Sequence, residues 1–268
     1  MMNLSQSTYY RDPKVPRSER EEKEANIRGQ IESVRVEFPR TGYRTLQQYL
    51  KRRGVIVSEY KLRKVICKFS MQLKAKRRFI KTTDSNHGHK VYPNLVKDHE
   101  VKNLNEVWVA DITYIRIVNG FVYLAVILDL YSRKVIGWAI SKNIDSNLSL
   151  TALEMACLRR GWPKDVIHHT DRGVQYLCAR YIKFLTDNGF KISCSRKGNP
   201  YDNAWAESFM KTIKVEEVYL FNYETIIDVS ERIGRFIEEV YNQKRIHSSL
   251  NYLTPDEFEI KTEKEKKK

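Results

Sequence analysis

Three carboxylates stand where they could do chemistry together. Asp111 lies inside the apolar run VWVADITYI, which reads as a buried strand. An acid there is destabilising unless it is paired or coordinated. Asp171 follows VIHHT, at the C-terminal tip of a short strand, the usual place for ligand chemistry in open α/β sheets. Glu207 comes early in a helix that opens after the loop SRKGNPYDN. Carboxylates from three separated elements can converge at one edge of a sheet, and hard oxygen ligands of that kind suit Mg²⁺ or Mn²⁺. Two such ions about 3.5–4 Å apart could activate a nucleophile and stabilise the leaving oxygen of a phosphodiester. Taken singly, each acid has an ordinary explanation: a strand-end Asp caps a turn, and a helix Glu is solvated.

The elements that must hold these acids begin after residue 105. Residues 107–115 alternate, with Val107, Val109, Asp111 and Thr113 on one strand face and Trp108, Ala110, Ile112 and Tyr114 on the other. Asn119-Gly120 signals a hairpin, and 121–128 is a buried strand that Asp129 ends. Tyr131-Ser132 marks the next turn, and Arg133 begins a third antiparallel strand. A helix over 147–160, a strand over 166–169, a helix over 176–188, a strand over 190–194 and a helix from Ala204 complete the pattern. Three antiparallel strands followed by alternating helix and strand predict an α/β core over 106–220, a five-stranded mixed sheet flanked by helices. A helical extension (221–260) and a charged tail (261–268), read as frayed, follow.

Residues 1–73 predict a small all-α region. A helix over 19–37 carries Ile27, Ile31, Val34 and Val36, and a second, over 43–53, is stopped by Gly54. Ser58 is placed to cap a third, with Leu62, Val65, Ile66 and Phe69 as its apolar stripe. Two short helices around a tight turn outline a helix-turn-helix; ordinary three-helix packing has the same outline. Residues 74–105 read as a basic extended linker. Its His87 and His89 have no Cys or carboxylate cluster at ligand spacing, so the linker reading is preferred to a metal site.

Charge points to a partner. The 268 residues carry 48 Lys and Arg against 33 Asp and Glu, a net +15. Residues 1–100 hold 23 basic and 11 acidic side chains, and residues 51–81 hold 12 basic against the single acid Glu59. So concentrated a field suggests a polyanion, most simply nucleic acid, with Lys51, Arg52, Arg53, Lys61, Arg63, Lys64, Arg77 and Arg78 as the contacts. A solvated lysine-rich surface is the plain alternative. Hydrophobic residues at 41% allow a packed core. No run approaches a membrane span, and the N-terminus lacks the apolar region of a secretory signal. Cys67, Cys157, Cys178 and Cys194 are dispersed, as in a reduced cytosolic protein, which argues against a disulfide scaffold or a zinc ribbon. No nucleotide-binding P-loop is present.

Asp171 and Glu207 are separated by 35 residues, within HTDRGVQY and NPYDNAWAESFMKTIKVE. With GYRTLQQYLKRRG, TTDSNH, WVADITYI and YNQKRIHSSLNYLTP, these motifs run from about residue 42 to 255. In them the chain resembles the D,D-35-E transposase and retroviral-type integrase superfamily. The closer likeness is to bacterial insertion-sequence transposases, as the second-frame product of a two-frame element. The resemblance implies an RNase-H-like core, with Asp111, Asp171 and Glu207 as a catalytic triad binding two Mg²⁺ or Mn²⁺ ions. It implies strand cleavage at the element ends and 3′-hydroxyl strand transfer, through a circular intermediate. The implied partners are DNA (element ends and target), further copies of the chain on paired ends, and the upstream-frame product; the implied location is the bacterial cytoplasm, at the nucleoid.

Lys214 corresponds to the family's basic residue on the Glu207 helix, and seven residues place both side chains on one face. It reads as a phosphate contact or as a plain surface charge. Arg245 and His247 read equally as backbone-phosphate contacts or as helix-end packing. Asp202 fits the N-cap of the Glu207 helix better than a fourth acid, Asp129 fits a turn, and His169 fits a phosphate-orienting or a structural role alike. The chain lacks the His-His-Cys-Cys zinc domain of retroviral-type integrases and shows no sustained heptad. A non-catalytic DNA-binding regulator and a nuclease of the same fold are the competing readings.

Overall fold

The computed structural model describes residues 16–73, 91–196 and 200–266, and the chain divides into two compact units, Met1–Arg77 and Arg78–Lys268. The first contains α1 (Arg17–Glu37), α2 (Tyr43–Arg52) and α3 (Glu59–Lys68). Its core is built by Ile27, Ile31 and Val34 from α1, Leu46, Tyr49 and Leu50 from α2, and Leu62, Val65 and Ile66 from α3. Val36, expected on the inner face, is 84% exposed, because two residues beyond Val34 is more than half a turn away. The Ser58 hydroxyl accepts a hydrogen bond from the Lys61 amide at 3.3 Å, a cap contributing about 1 kcal/mol. Lys68 pairs with Glu24 at 2.6 Å and ties α3 to α1.

The second unit contains β1 (Val107–Ile117), β2 (Gly120–Asp129), β3 (Val135–Ser141), α4 (Ser146–Arg160), β4 (Ile167–Thr170), α5 (Val174–Leu177), α6 (Ala179–Asp187) and β5 (Lys191–Cys194). A 3₁₀ turn (Pro200–Asn203), α7 (Ala204–Glu216), α8 (Ile226–Arg235), a π-helical turn (Phe236–Asn242) and α9 (Pro255–Lys266) follow. The sheet order is β3-β2-β1-β4-β5. β1, β2 and β3 are antiparallel neighbours, while β4 and β5 join parallel to β1.

Strand alternation sorts the core into two layers. Val107, Val109, Ile115, Val122, Leu124 and Val126 pack with Phe209, Met210 and Ile213 of α7 and with Val229 and Ile233 of α8. On the opposite face, Trp108, Ala110, Ala125 and Ile127 pack with Leu153 and Ala156 of α4 and with Tyr176 and Tyr181. Gly137 lets α4 lie directly on β3: a Cβ there would meet the Ala152 carbonyl oxygen at 2.1 Å. In the π-helical turn, Asn242 accepts from the Val135 amide and donates to the Val135 carbonyl, each at 3.0 Å, so its side chain covers a backbone pair on edge strand β3.

Three segments depart from the sequence reading. The helix expected over 176–188 is broken at Cys178, whose extended backbone starts a new helix, α6. Tyr176 and Leu177 before the break, and Tyr181 and Leu185 after it, are all buried. Residues 91–105 do not run loosely over the surface: Val96 is buried, Pro93 O accepts from the Cys194 amide, and the Leu95 amide donates to Ser193 Oγ. A sheet-edge strand has unpaired backbone groups, and this segment satisfies part of that demand on β5. Finally, α9 continues to Lys266 where a frayed tail was expected. Thr254 and Glu257 cap it reciprocally, Pro255 opens it, and Thr262 is buried. Arg77, Arg78, His87 and His89 lie outside the described residues. Among the described residues, no helix is long and apolar enough to cross a membrane.

Glu259 fastens α9 to the sheet unit. Its buried carboxylate accepts from Ser132 Oγ at 2.6 Å, from Lys134 Nζ at 3.3 Å, and from both terminal nitrogens of Arg160. Burial pushes this carboxyl up, and the Arg160 hydrogen bonds and charge, with Ser132 and Lys134, outweigh it, so the net shift is downward. Removing one partner of a buried ion pair costs about 3–5 kcal/mol. Glu259→Ala is therefore expected to lower unfolding stability by about 3 kcal/mol at neutral pH in denaturant titrations. Because the folded carboxyl titrates below its ordinary 4.5, the difference from wild type is complete above that pH and narrows as pH falls through the lower folded value. A constant difference across that range would refute the ionic origin.

Candidate active site

The site begins where β4 ends. β4 pairs with β1 at Val107, Trp108 and Val109, so among the described residues that edge of β1 has no ladder partner from Ala110 until Ile117 meets Tyr223. Two side chains serve the open edge. Asn203, at the start of α7, donates to the Ala110 carbonyl at 3.4 Å, and the Ile112 amide donates to Asp111 Oδ1 at 2.8 Å. The Asp111 carboxylate is thus held half-buried on an interrupted edge of a central strand.

Asp171 comes directly after β4. Its Oδ1 accepts from the Gly173 amide at 2.8 Å, and the Tyr176 amide donates to Gly173 O at 3.0 Å, so the chain folds back at once. Gly173 has ordinary negative φ but a crowded site: a Cβ would lie 2.9 Å from Asp171 Oδ1 and 2.3 Å from the side-chain Nε2 of Gln175. Glu207 stands on the exposed side of the first turn of α7, with Lys214 two turns further on. Lys214 Nζ lies 4.6 Å from the centroid of the Tyr114 ring, which meets Phe121 edge-on.

The Asp111 carboxyl is influenced by both of the other acids. Burial raises the Asp111 carboxyl to about 8, with the charges of Asp171 and then Glu207 adding to it; the Ile112 amide and the Lys214 charge oppose the rise. Desolvation also raises Glu207, and burial lowers Lys214 while the Asp111 charge raises it. Among the described residues no three carboxylate, imidazole or thiolate groups stand close enough to enclose an ion. The donor set, all carboxylate oxygens, nevertheless has the hard-ligand chemistry that suits a divalent cation.

Around the three acids, other side chains secure the frame. Asp129 accepts from the amides of Asn105, Tyr131 and Ser132, the turn role expected of it. Asp202 is not the N-cap of α7; Asn203 occupies that position. Asp202 instead accepts from the Arg196 amide at 2.8 Å and from its guanidinium at 2.9 and 3.0 Å, which together outcompete a single capping bond. That pairing holds its carboxyl well below the usual range. His169 is fully buried, with ring nitrogens 2.8 and 3.1 Å from the hydroxyl oxygens of Ser193 and Ser195, a structural link from β4 to β5.

Arg245 and His247 are engaged within the protein. Arg245 donates twice to Glu216, at 2.9 Å each, fastening the end of α7. Burial, with the charges of Arg245 and Arg133, lowers His247 to about 3, so the ring is neutral at ordinary pH. In the N-terminal unit Lys51, Arg52, Arg53, Arg63 and Lys64 are exposed and Lys61 is half-exposed. Arg53 reaches Ser33 and Glu37, and Arg63 pairs with Glu59 at 3.7 Å. Asn203, Gly173 and Tyr114 lie within the quoted motifs but were not singled out, because their roles follow from where β4 stops.

The integrase core domain family matches residues 102–200, and a second integrase core domain pattern matches residues 188–255. The uncharacterized 31 kDa protein of insertion element IS600 from Shigella sonnei is 35% identical over 263 residues, 97% of each chain. Transposase InsF of insertion sequence IS3A from Escherichia coli is 40% identical over 192 residues, 71% of this chain and 67% of that one. Among solved structures, the HTLV-2 integrase catalytic core domain in complex with magnesium has a TM-score of 0.43 and 18% identity, over 58% of this chain and 96% of that one. The near full-length likeness to an insertion-element protein and the integrase core pattern over the sheet together establish that the chain belongs to the insertion-sequence transposases, DNA transposases with an integrase-type, RNase-H-like core.

Proposed function

We propose that the chain is a divalent-metal-dependent polynucleotidyl transferase that cleaves a strand at each element end and joins the resulting 3′-hydroxyl to a target phosphodiester. The observation that supports this most directly is the influence of the Asp171 and Glu207 charges on Asp111, the three residues coming from separated elements. Asp111, Asp171 and Glu207 would hold two Mg²⁺ or Mn²⁺ ions, which when bound supply Lewis-acid activation of the attacking oxygen and stabilise the leaving one. Lys214, on the Glu207 helix, is suited to hold a DNA phosphate beside the acids. The basic residues of α2 and α3 supply backbone-phosphate affinity without sequence reading. The chain works as a homo-oligomer on paired ends, with the upstream-frame product contributing end recognition, in the bacterial cytoplasm at the nucleoid. Its family membership and its concentration of positive charge support that reading.

The decisive assay joins pre-cleaved element ends to a plasmid target in Mg²⁺ or Mn²⁺, with EDTA as control and with and without the upstream-frame product. Asp111→Asn, Asp171→Asn and Glu207→Gln are each expected to reduce joining by more than about a hundredfold while DNA binding persists. Joining retained in all three variants would sink the site assignment. Cleavage without joining would mark a nuclease, and binding without either would mark a regulator. Gly173→Ala is expected to lower joining about tenfold with the fold retained, because the new methyl displaces the Asp171 carboxylate. Full activity in Gly173→Ala would show that the turn does not set that position. Replacing Lys51, Lys61 and Lys64 with Glu should weaken non-specific DNA binding and flatten its salt dependence, by about 0.9 in slope for each phosphate no longer neutralised. An unchanged slope would move the DNA surface elsewhere.

A further inference from the structure

Tyr176, in the core layer that packs with α4, has no task in the chemistry described so far. It is 2% exposed, on the short helix that follows the Gly173 turn. Its ring packs edge-on against Tyr181 with centroids 5.5 Å apart. The Tyr181 hydroxyl is satisfied, lying 2.8 Å from His168 Nε2. The Tyr176 hydroxyl is buried and has no hydrogen-bond partner among the described residues. A phenyl ring would fill the same space without stranding a polar group, so the hydroxyl lowers stability unless some state of the protein uses it. The charged groups that reach it are the carboxylates of Asp111 and Asp171, the former more strongly.

Asp111 Oδ1 accepts from the Ile112 amide, and Asp171 Oδ1 accepts from the Gly173 amide. A carboxylate that ligates a metal depends on hydrogen bonds to its remaining lone pairs to fix its orientation. A neutral phenol suits this role because it stabilises the anion without competing with the cation for charge. We propose that Tyr176 is a positioning residue, whose hydroxyl donates to the Asp111 carboxylate when a divalent cation draws Asp111 and Asp171 together. The inference rests on the metal-binding role proposed for the acids. The bond it describes belongs to the loaded site, which explains why a buried donor stands unpaired within electrostatic reach of two carboxylates.

The test compares full-length wild type, Tyr176→Phe and Asp111→Asn by thermal unfolding in EDTA and by Mn²⁺ titration calorimetry. In EDTA, Tyr176→Phe is expected to unfold at the wild-type temperature or above it, because it removes an unsatisfied group. Its Mn²⁺ dissociation constant should rise about tenfold, and strand joining should recover at saturating Mg²⁺. A variant that melts below wild type in EDTA would show that the hydroxyl is already bonded, and wild-type Mn²⁺ affinity would show that it does not position the acids; either result overturns the proposal. If Asp111→Asn loses Mn²⁺ while Tyr176→Phe keeps it, the metal site stands and the Tyr176 role falls. If wild type and Asp111→Asn both fail to bind Mn²⁺, the metal reading falls and takes the Tyr176 role with it.

Discussion

The interruption of the sheet beside β1 is the constraint on which the rest of the site depends. A carboxylate in the middle of a fully paired central strand would be desolvated with no polar group to receive it. Here β4 leaves β1 after Val109, and the freed amide of Ile112 becomes a donor to Asp111. The same departure places Asp171 at the end of β4, level with the stretch of β1 that it has just left. Parallel pairing of β4 with β1 sends both chains in one direction, so the end of one strand and the middle of the other meet at one height. Convergence of the first two acids is thus a matter of strand length and direction, with no unusual backbone at either residue.

Bringing acids together is electrostatically costly, and the surrounding contacts resist the relaxation that would relieve it. α7 carries Glu207, whose charge acts on Asp111. It is held by Phe209, Met210 and Ile213 in the core and by Asn203 on β1. Arg196–Asp202 secures its approach, Arg245–Glu216 its last turn, and Arg232–Glu217 the residue just beyond. Several cations that a charge count would assign to nucleic acid are therefore structural. This explains why the C-terminal portion of the chain, although rich in Arg, offers fewer free positive charges than its composition suggests.

Much of this was legible in the sequence, for reasons that differ between elements. Strand alternation located β1, β2 and β3 and both faces of Val107 to Tyr114, because side-chain period in a strand depends only on local geometry. Ser58 was readable as a cap because the bond it makes spans three residues. The roles of Arg245 and Asp202 were not readable, because their partners Glu216 and Arg196 become neighbours only after folding. The docking of residues 91–105 escaped for the same reason: it answers the unpaired edge of β5, almost a hundred residues away. Asp111, Asp171 and Glu207 were put forward as a set only from their spacing and motifs. Nothing local distinguishes Asp111 from a misplaced core acid until the open edge beside it is seen.

Charge also separates affinity from chemistry in this protein. The N-terminal residues carry most of the excess positive charge, while the acids at the sheet edge would repel the phosphodiester they are proposed to act on. Lys214 alone cannot reverse that field, and burial weakens its own hold on a proton. If Asp111, Asp171 and Glu207 act on DNA as proposed, a phosphate would approach them only when positive charge of another kind is added among them. Non-specific affinity would then be supplied by one unit and conditional access by the other. The acids would themselves be a gate, keeping DNA from reacting wherever the basic helices held it until the carboxylates were neutralised.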